Sequence, residues 1–338
     1  MLRIRFNIIL MALLAVLAVG LWYSFFRTPK ITGLEVAIKT SSFLDKTFQT
    51  DGSMISGFVC QMGTGICNPM VVNANRPDLS EVINGYYELA KASGDGSYRA
   101  KSDQIIDFVL NECRTNFHMC DWNISPIVGY YLDTKDKKYL DAIFSSAKKL
   151  LVLSNQDLID QNAGNGIALL YQATGDERYK KRLSEAADEE LLNWPRSQEQ
   201  FEYSIRVIWS IFIPAYAGTK DQKYLAASEQ FFDNFNLREN FDLNRLSLES
   251  IIKGTDALMN LSEMSDHGAV YKTQAHAVLQ EALNQSWDSP ENLKLNGDYG
   301  FGYATTKYNN YVKKFLYNGW LIKLFAMMAD EKFNLPVK

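Results

Sequence analysis

The sequence predicts an all-α protein: an (α/α)6 toroid of about twelve helices, preceded by a single N-terminal transmembrane helix. Three observations lead to this prediction. One short phrase recurs along the chain at a near-constant interval, apolar residues fall at helical spacing on both sides of it, and the N-terminus holds a long apolar run. The 338 residues are enough for one large repeat domain.

The N-terminus predicts a membrane anchor. Two arginines precede an apolar run over residues 6–26, which at ~1.5 Å per residue crosses a ~30 Å hydrocarbon layer. The arginines favour a cytoplasmic N-terminus with the body outside. The alternative is a signal peptide cleaved near Ala18–Gly20, but the apolar run continues past that site. We therefore expect an anchor and tether over residues 1–30 and an exported domain over 31–338, in the periplasm or at the cell surface.

The cysteines agree with export. Cys60 and Cys67 are seven residues apart, and so are Cys113 and Cys120. Four cysteines in an exported chain predict two disulfides, and among the three connectivities we choose the two local pairs. Zinc binding is disfavoured because the spacing is not that of zinc ligands and the chain has 3 histidines.

Charge and motifs exclude several classes of function. The net charge of −4 gives no basic signature, so nucleic acid is not expected as a partner. The sequence has no phosphate-binding loop, nucleophile elbow, zinc-protease motif or dinucleotide fingerprint. We expect neither a cofactor nor a bound metal.

The recurring phrase is Asp-x-x-aromatic, which we call the corner phrase. A variant in which the Asp is shifted ends at Tyr271, and the intervals between the aromatics are 41, 40, 45, 47 and 62 residues. A near-constant interval indicates a repeat architecture. The other aromatics are Tyr98, Tyr139, Tyr179, Tyr224 and Phe333.

The corner phrase has the chemistry of a helix–turn–helix. Gly94 or Gly175 can take the left-handed conformation that ends one helix. The Asp that follows can cap the next helix by accepting from its free N–H groups. The aromatic residue then lies one turn into the second helix, where it can pack back against the first.

The ring closes if the first and last helices pair. We expect an opening helix near residues 34–48, five hairpins, and a final helix near residues 311–330. An open solenoid of the tetratricopeptide kind is the alternative, but its period is shorter and very regular. Pro214 should kink its helix or end it early.

Because the tight corners share one face of the ring, the long connections lie on the opposite face, which we call the mouth. Long connections on a rigid scaffold are where binding and catalysis usually reside. Three tryptophans fall in them or directly beside them, namely Trp122, Trp194 and Trp287. The connections are residues 49–79, 112–121, 153–161, 193–200, 235–247 and 286–310.

The chain resembles the six-hairpin glycosidase-like superfamily of glycoside hydrolases, polysaccharide lyases and sugar epimerases. The resemblance covers about residues 34–335, and the phrases that carry it are "DQNAGNGIALLYQATGDERYKKRLSEAAD" and "FLDKTFQTDGSMISGF". It implies that the helix before each corner is the inner one and that its N-terminal end meets the substrate. It also implies a pair of mouth histidines in epimerases, and only His118 lies on that side here. The implied inner-helix starts are near Asp121, Asn162, Tyr203, Lys253 and Tyr311.

Four carboxylates are candidates for catalysis: Asp51, Asp121, Glu202 and Asp298. Each has an ordinary structural alternative, because Asp-Gly pairs form turns and carboxylates at helix starts act as caps or favour the helix dipole. Asp160 has the same ambiguity. An inverting glycosidase needs two such groups ~6.5–9.5 Å apart, and the sequence does not assign acid and base among the four.

Aromatic residues near these carboxylates are candidates for substrate binding, since aromatic faces stack on sugar rings. The alternative is that they pack over the toroid. The stretch "NGDYGFGYATTKYNNY" is the most aromatic of the connections. The candidates are Trp122, Tyr203, Trp287, Tyr299, Phe301 and Tyr303.

Three cations stand at matched positions. Arg206, Lys253 and Lys314 precede their repeat aromatics by 18, 18 and 19 residues, which is compatible with one level of the inner ring. The mouth would then be partly cationic and suit an acidic sugar, with Arg206 as a binding residue. The alternative, which the solvation of charged residues favours, places all three on the rim or outer face.

The sequence therefore predicts a membrane-tethered, extracytoplasmic carbohydrate-active enzyme, foremost a glycoside hydrolase acting on a polysaccharide or oligosaccharide. A lyase with Tyr203 or Tyr303 as base is a variant. The alternative is a non-catalytic toroid that binds a glycan or docks a partner in envelope polysaccharide assembly, which the absence of an unmistakable catalytic pair favours.

Overall fold

The structure, a computed structural model, describes most of the chain after the predicted anchor. Within the described part, no helix is both long and apolar enough to cross a bilayer. The predicted anchor falls almost entirely on residues 1–29, outside that part. The described residues are 30–47, 57–61, 67–70, 78–194, 200–239, 247–287, 301, 303–305 and 310–335.

The inner layer of the described fold is a closed ring of helices. Each inner helix packs against the next one along the chain, and the last packs against the first. The fourth member is one continuous helix in which a π-helical segment, Ile208–Phe212, joins two α-helical parts. The inner helices are α2 (Ser80–Ser93), α5 (Ile124–Thr134), α8 (Ala163–Thr174), α10 (Phe201–Val207) with α11 (Ile213–Thr219), α13 (Leu248–Met264) and α15 (Phe315–Met327).

The outer layer pairs one helix with each inner helix, which confirms the all-α toroid. Two short helices, α4 (Phe117–Trp122) and α7 (Asn155–Asp160), lie in the connections on the mouth side. The outer helices are α1 (Gly33–Thr47), α3 (Gly96–Glu112), α6 (Lys138–Leu150), α9 (Glu177–Leu191), α12 (Gln222–Asn234) and α14 (Gly268–Ser286).

Four corners share one hydrogen-bonded design. The inner helix ends at a residue in the left-handed conformation, which is Gly94 (φ 70°) or Gly175 (φ 67°) at two corners and a lysine at the others. The aspartate that follows accepts from the backbone N–H two residues on, at distances of 2.8, 3.0, 3.0 and 3.1 Å. The corner phrase is therefore a helix stop followed by a helix cap, as its chemistry predicts.

The repeat aromatics pack back against the inner helices. Tyr98 stacks on Tyr86 of α2 with ring centroids 6.4 Å apart, and Tyr139 contacts Tyr130 of α5 at 5.6 Å. Tyr224 stacks on Phe212 at 6.5 Å. These contacts fix the angle between the two helices of each hairpin.

Ring closure depends on close approach of α2 and α15. A Cβ atom added to Gly319 would lie 2.7 Å from the Cα of Val82, and one added to Gly85 would clash with the carbonyl oxygen of Gly319. On the corner face, β1 (Lys30–Thr32) pairs antiparallel with β6 (Lys332–Asn334), which joins the segment before the first helix to the segment after the last. The predicted pairing of first and last helices is confirmed, although α15 begins later than expected.

A four-stranded sheet at the mouth was not predicted. Its order is β3-β2-β5-β4, and β5 leads directly into α15. Cys60 and Cys67 are opposite each other across β2 and β3, but their side chains lie outside the described part, so this disulfide stays a prediction. The strands are β2 (Gly57–Gln61), β3 (Cys67–Met70), β4 (Tyr303–Thr305) and β5 (Asn310–Lys314).

Two local predictions have clear outcomes. The disulfide between Cys113 and Cys120 is confirmed, and it joins the end of α3 to α4. Pro214 does not end its helix, because it occupies the start of α11 directly after the π-helical segment. The wider π turn accommodates a residue that lacks a backbone N–H.

We expect Gly319→Ala to lower the free energy of unfolding by about 2–3 kcal/mol, because the added methyl group meets backbone rather than a movable side chain. Gly129→Ala is the matched control: a Cβ added to Gly129 meets nothing within 4 Å, so helix propensity should stabilise it by up to about 1 kcal/mol. Denaturant unfolding of both variants checks this. Equal stability of the two would contradict close packing at the ring seam.

Candidate functional site

Charged side chains from five of the inner helices, or from the connections directly before them, meet at the mouth. We call Asp78, Asp160, Arg206, Glu249, Lys253 and Lys314 the mouth cluster. Asp78 precedes α2, Asp160 ends α7 just before α8, Arg206 lies in α10, and Lys314 caps α15. Glu249 and Lys253 lie in the first two turns of α13.

Lys253 and Glu249 form the central ion pair of this cluster. The side chain of Lys253 is 1% exposed, and its Nζ lies 2.7 Å from Oε1 of Glu249, which is 43% exposed. Burial opposes ionisation of Glu249, but the charges of Lys253, Arg206 and Lys314 outweigh it and hold the pKa of Glu249 below its ordinary value. Glu249 is therefore a carboxylate that stays ionised.

Arg206 and Asp160 form a second ion pair, between α10 and the end of α7. Burial raises the pKa of Asp160, but a hydrogen bond from Gln156 and the charges of Arg206 and Lys253 bring it below its ordinary value. The Nε atom of Arg206 is buried without a hydrogen-bond partner.

The pKa of Asp78 shifts in the opposite direction to those of Glu249 and Asp160. Its carboxylate accepts from the backbone N–H of Ser80 at 3.0 Å, but burial and the charge of Glu249 outweigh this bond and the charge of Lys253, so the pKa of Asp78 is raised. Asn123 fixes the segment, since its side-chain oxygen accepts from the N–H of Leu79 at 2.9 Å. Asp78 is the carboxyl of the cluster that most readily holds a proton.

The mouth cluster is net cationic when Asp78 is protonated. Its three cations then face two ionised carboxylates, Glu249 and Asp160. A cluster of this charge attracts an anionic ligand. Arg206, Lys253 and Lys314, which stand at matched offsets in the sequence, all act electrostatically on the Glu249 carboxylate. Lys253 is buried on the inner helix α13, so the favoured alternative of a rim or outer-face position does not hold for this lysine.

A second charged cluster lies deeper on the ring axis, around Asp256 of α13. Asp256 Oδ2 accepts from the indole N–H groups of Trp209 at 2.9 Å and Trp320 at 3.1 Å. The Nζ of Lys323 lies 2.8 Å and 3.0 Å from the two carboxylate oxygens. Burial opposes the charge of Lys323, but Asp256 and Glu81 hold its pKa above the ordinary value.

Glu81 is the carboxyl of this deeper cluster that has a buried oxygen without a hydrogen-bond partner. It is 7% exposed, and its Oε2 atom has no hydrogen-bond partner. It lines a cavity of about 80 Å³ together with Asn84, Asn165 and Asn260. This volume is below the roughly 300 Å³ of small ligand pockets and holds two or three waters at about 30 Å³ each. Burial raises the pKa of Glu81 to about 7.

The structure places the other predicted residues away from the mouth cluster. Asp121 pairs with Lys149 of the outer helix α6 at 3.2 Å, and with Trp122 it lines a rim cavity of about 250 Å³. Glu202 accepts from the N–H of Ser247 at 2.8 Å and so joins α10 to the start of α13. The hydroxyl of Tyr203 donates to Glu190 of the outer layer at 3.3 Å.

Two predicted binding residues belong to the core. Trp287 and Phe301 are 3% and 0% exposed and contact each other at 4.9 Å between ring centroids. Asn318 holds the backbone of Phe301 through bonds of 2.7 Å and 2.9 Å. Side chains this buried present no face to a sugar, so the prediction of ligand contact was wrong for both. Asp51, Asp298 and Tyr299 lie outside the described residues, as does the side chain of Tyr303.

Across the described ranges, no group of three or more His, Cys, Asp or Glu side chains is arranged to hold a metal ion.

Comparison with known proteins gives fold-level likeness. No protein-family model and no curated protein sequence matches the chain. An unsaturated glucuronyl hydrolase specific for heparin matches 88% of this chain and 96% of its own at 12% identity, with a TM-score of 0.64. An inactive variant of an α-1,6-mannanase from Salegentibacter, in complex with α-1,6-mannotetrose, matches 88% and 99% at 10% identity and 0.62.

A third structure is an unsaturated glucuronyl hydrolase variant from Streptococcus agalactiae, complexed with dGlcA-GalNAc6S. It matches 87% of this chain and 90% of its own at 13% identity, with a TM-score of 0.59. The chain thus shares the (α/α)6 toroid fold of these structures, which is the fold implied by the resemblance drawn from the sequence.

Sequence reasoning missed Asp78, Glu249, Glu81 and Asp256. A usable signal existed for the first two. Asp78 precedes Tyr98 by 20 residues, close to the offset of the three cations from their repeat aromatics. Glu249 stands one helical turn before Lys253, so the two side chains lie on the same face of their helix. Glu81 and Asp256 lie within apolar helices and become conspicuous only through their burial.

Glu81 predicts a specific pH dependence of stability. Its folded pKa, about 7, exceeds the unfolded value, so its contribution is fully present below about pH 4 and is lost as pH rises through 7. Between pH 5 and pH 8 the unsubstituted protein should therefore lose unfolding free energy that Glu81→Gln does not lose. The two proteins should differ in this decrease by up to about 3 kcal/mol. Urea unfolding at both pH values measures it.

The control is Glu88→Gln, on the same helix but paired with Lys91 at the surface. It should leave the difference between pH 5 and pH 8 unchanged. A Glu81→Gln protein with the same pH dependence as the unsubstituted one would show that Glu81 is ionised at little cost.

Proposed function

We propose that this protein is a membrane-tethered, extracytoplasmic glycoside hydrolase that cleaves an acidic polysaccharide or oligosaccharide at the ring mouth. The observation that carries the proposal is the pair Asp78 and Glu249. The two carboxyls come from inner helices on either side of α15, interact electrostatically with each other, and have pKa values shifted in opposite directions. Two carboxyl groups whose environments separate their pKa values define an acid and a base.

The pair assigns roles that the sequence left open. Asp78, which holds its proton more readily, would protonate the glycosidic oxygen as the bond breaks. Glu249, kept ionised by its cations, would remove a proton from the attacking water. These are the two roles of an inverting mechanism, which requires the two carboxyls to be ~6.5–9.5 Å apart.

The cations support an acidic substrate. Arg206, Lys253 and Lys314 surround Glu249, and a sugar carboxylate or sulfate in the mouth would add the negative charge that they attract. Two of the structural neighbours are glucuronyl hydrolases, one described as specific for heparin. The mannanase neighbour shows that the same fold also accommodates mannose oligosaccharides.

The position of β1 supports an orientation for a tethered domain. The ribbon of β1 and β6 lies on the corner face, opposite the mouth. Residues 27–29 separate the predicted membrane span from β1, and three residues reach at most about 11 Å. The corner face would therefore lie near the membrane and the mouth would face away from it, towards extracellular glycan.

We expect the full-length protein to hydrolyse uronate-containing oligosaccharides faster than neutral ones. Asp78→Asn and Glu249→Gln should each lower kcat by roughly 10²–10⁴-fold, the usual contribution of a general acid or base. Reducing-end release from a panel of acidic and neutral glycans is the measurement.

Asp133→Asn is the matched control, because Asp133 forms an exposed ion pair with Arg99 at the corner end of α5. It should retain full activity. Binding of acidic glycans without cleavage would instead support the alternative of a non-catalytic glycan-binding toroid. Full activity of Asp78→Asn and Glu249→Gln would remove both residues from the mechanism.

The orientation is testable with two single-cysteine labels in liposome-reconstituted protein. Lys137 is exposed at a corner, whereas Leu192 is 84% exposed at the mouth end of α9. We expect lipid-headgroup quenchers to quench a fluorophore on Lys137→Cys strongly and one on Leu192→Cys weakly. Stronger quenching at Leu192 would reverse the proposed orientation.

A further inference from the structure

Trp209 connects the two charged clusters on the ring axis. Its indole N–H donates to Asp256 Oδ2 at 2.9 Å in the deeper cluster. The face of the same ring carries the Nζ of Lys253, 5.3 Å from the ring centroid, in the mouth cluster. One rigid side chain therefore touches both a buried carboxylate and the cation that pairs with Glu249.

Asp256 anchors the indole. Its Oδ2 atom also accepts from Trp320, and Lys323 binds both oxygens at 2.8 Å and 3.0 Å. The two indole rings pack with centroids 4.8 Å apart. Asn260 also donates to Oδ1 of Asp256 at 3.4 Å. A carboxylate held by four donors in the protein interior has little freedom, so the bond from Trp209 fixes the plane and position of its ring.

The backbone also singles out Trp209, which lies in the π-helical segment Ile208–Phe212. A π turn holds an extra residue and rotates the side chains after it relative to a regular helix, and such turns recur at functional sites. Pro214, one turn later, contributes no N–H to a regular helix. The local sequence therefore maintains the irregular turn that directs the indole towards Asp256.

The indole face and Glu249 together define the position of the Lys253 ammonium. With the side chain 1% exposed, the ammonium depends on these neighbours rather than on bulk water. An aromatic face attracts a cation, and more strongly where water is excluded. A displaced ring would let Nζ move and would change the field at Glu249.

We propose that Trp209 is a positioning residue for Glu249: anchored by Asp256, it holds the Lys253 ammonium against the Glu249 carboxylate. The inference rests on the proposed role of Glu249 as the base and names the group that sets its protonation. The other charges that act on Glu249 are Arg206 of α10 and Lys314 at the start of α15, which lower its pKa, and the carboxyl of Asp78 before α2, which interacts with it electrostatically.

The test compares two substitutions that each remove one indole hydrogen bond from the same oxygen. Trp209→Phe and Trp320→Phe both leave Asp256 without one donor, but only Trp209 carries Lys253. The full-length protein, labelled with carboxyl-¹³C glutamate, is titrated by NMR, and Glu249→Gln assigns the Glu249 resonance. We expect the pKa of Glu249 to rise towards the ordinary glutamate value in Trp209→Phe and to be unchanged in Trp320→Phe.

An unchanged pKa of Glu249 in Trp209→Phe would overturn the inference. An equal rise of this pKa in both variants would also overturn it, because a general loosening of the core would raise the pKa equally in both. If Trp209→Phe does not fold, Trp209→Leu and Trp320→Leu give the same comparison, because leucine also offers no hydrogen-bond donor to Asp256. The titration uses no glycan. A protein that cleaves no glycan on the panel would count against the proposed function without affecting the titration result. An unchanged pKa of Glu249 in Trp209→Phe would likewise overturn this inference without affecting the proposed function.

Discussion

The contact of backbone on backbone between α2 and α15 is the constraint on which the site depends. Gly85 and Gly319 let these helices approach closely enough for the last hairpin to meet the first. Only a closed ring brings Asp78, before the first inner helix, near Glu249 and Lys253 of the fifth. In an open superhelix the same side chains would lie on separate turns, fully hydrated, and their pKa values would stay ordinary.

Closure also creates an axis from which water is largely excluded, and this determines how charge is arranged there. Asp256 and Lys323 are a well-bonded buried pair, because two indoles and the ammonium satisfy the carboxylate. Such pairs seldom add much stability against an apolar core of the same shape, but breaking one is costly. Their value here is positional, since they fix the rings that line the axis. Glu81 receives no equivalent partner, and protonation reduces the cost of burying it.

The corners could be predicted from sequence because their physics is local. An aspartate that caps the next N–H needs only its own neighbours. The site could be predicted only in part. The matched offsets found Arg206, Lys253 and Lys314, since every hairpin rises the same height from corner to mouth. Asp78 was missed because a carboxylate in Pro-Asp-Leu is ordinary turn chemistry. Trp287 and Phe301 were misassigned because aromatic density predicts packing as readily as stacking on sugars.

The same offset, applied to all six hairpins, reveals an electrostatic asymmetry of the mouth. The first three hairpins place Asp78, Asp121 and Asp160 at 18 to 20 residues before the repeat aromatic, and the last three place Arg206, Lys253 and Lys314 there. Asp121 forms an ion pair with Lys149 of the outer layer, whereas the other five residues interact electrostatically within the mouth cluster. Because hairpins follow the ring in chain order, the residues at this offset are acidic in one half of the mouth and basic in the other, and Glu249 adds one carboxylate to the basic half. An anionic sugar would be drawn to the basic half, which leaves its glycosidic oxygen towards Asp78. The order of the repeats along the chain would thereby set the direction in which a glycan enters.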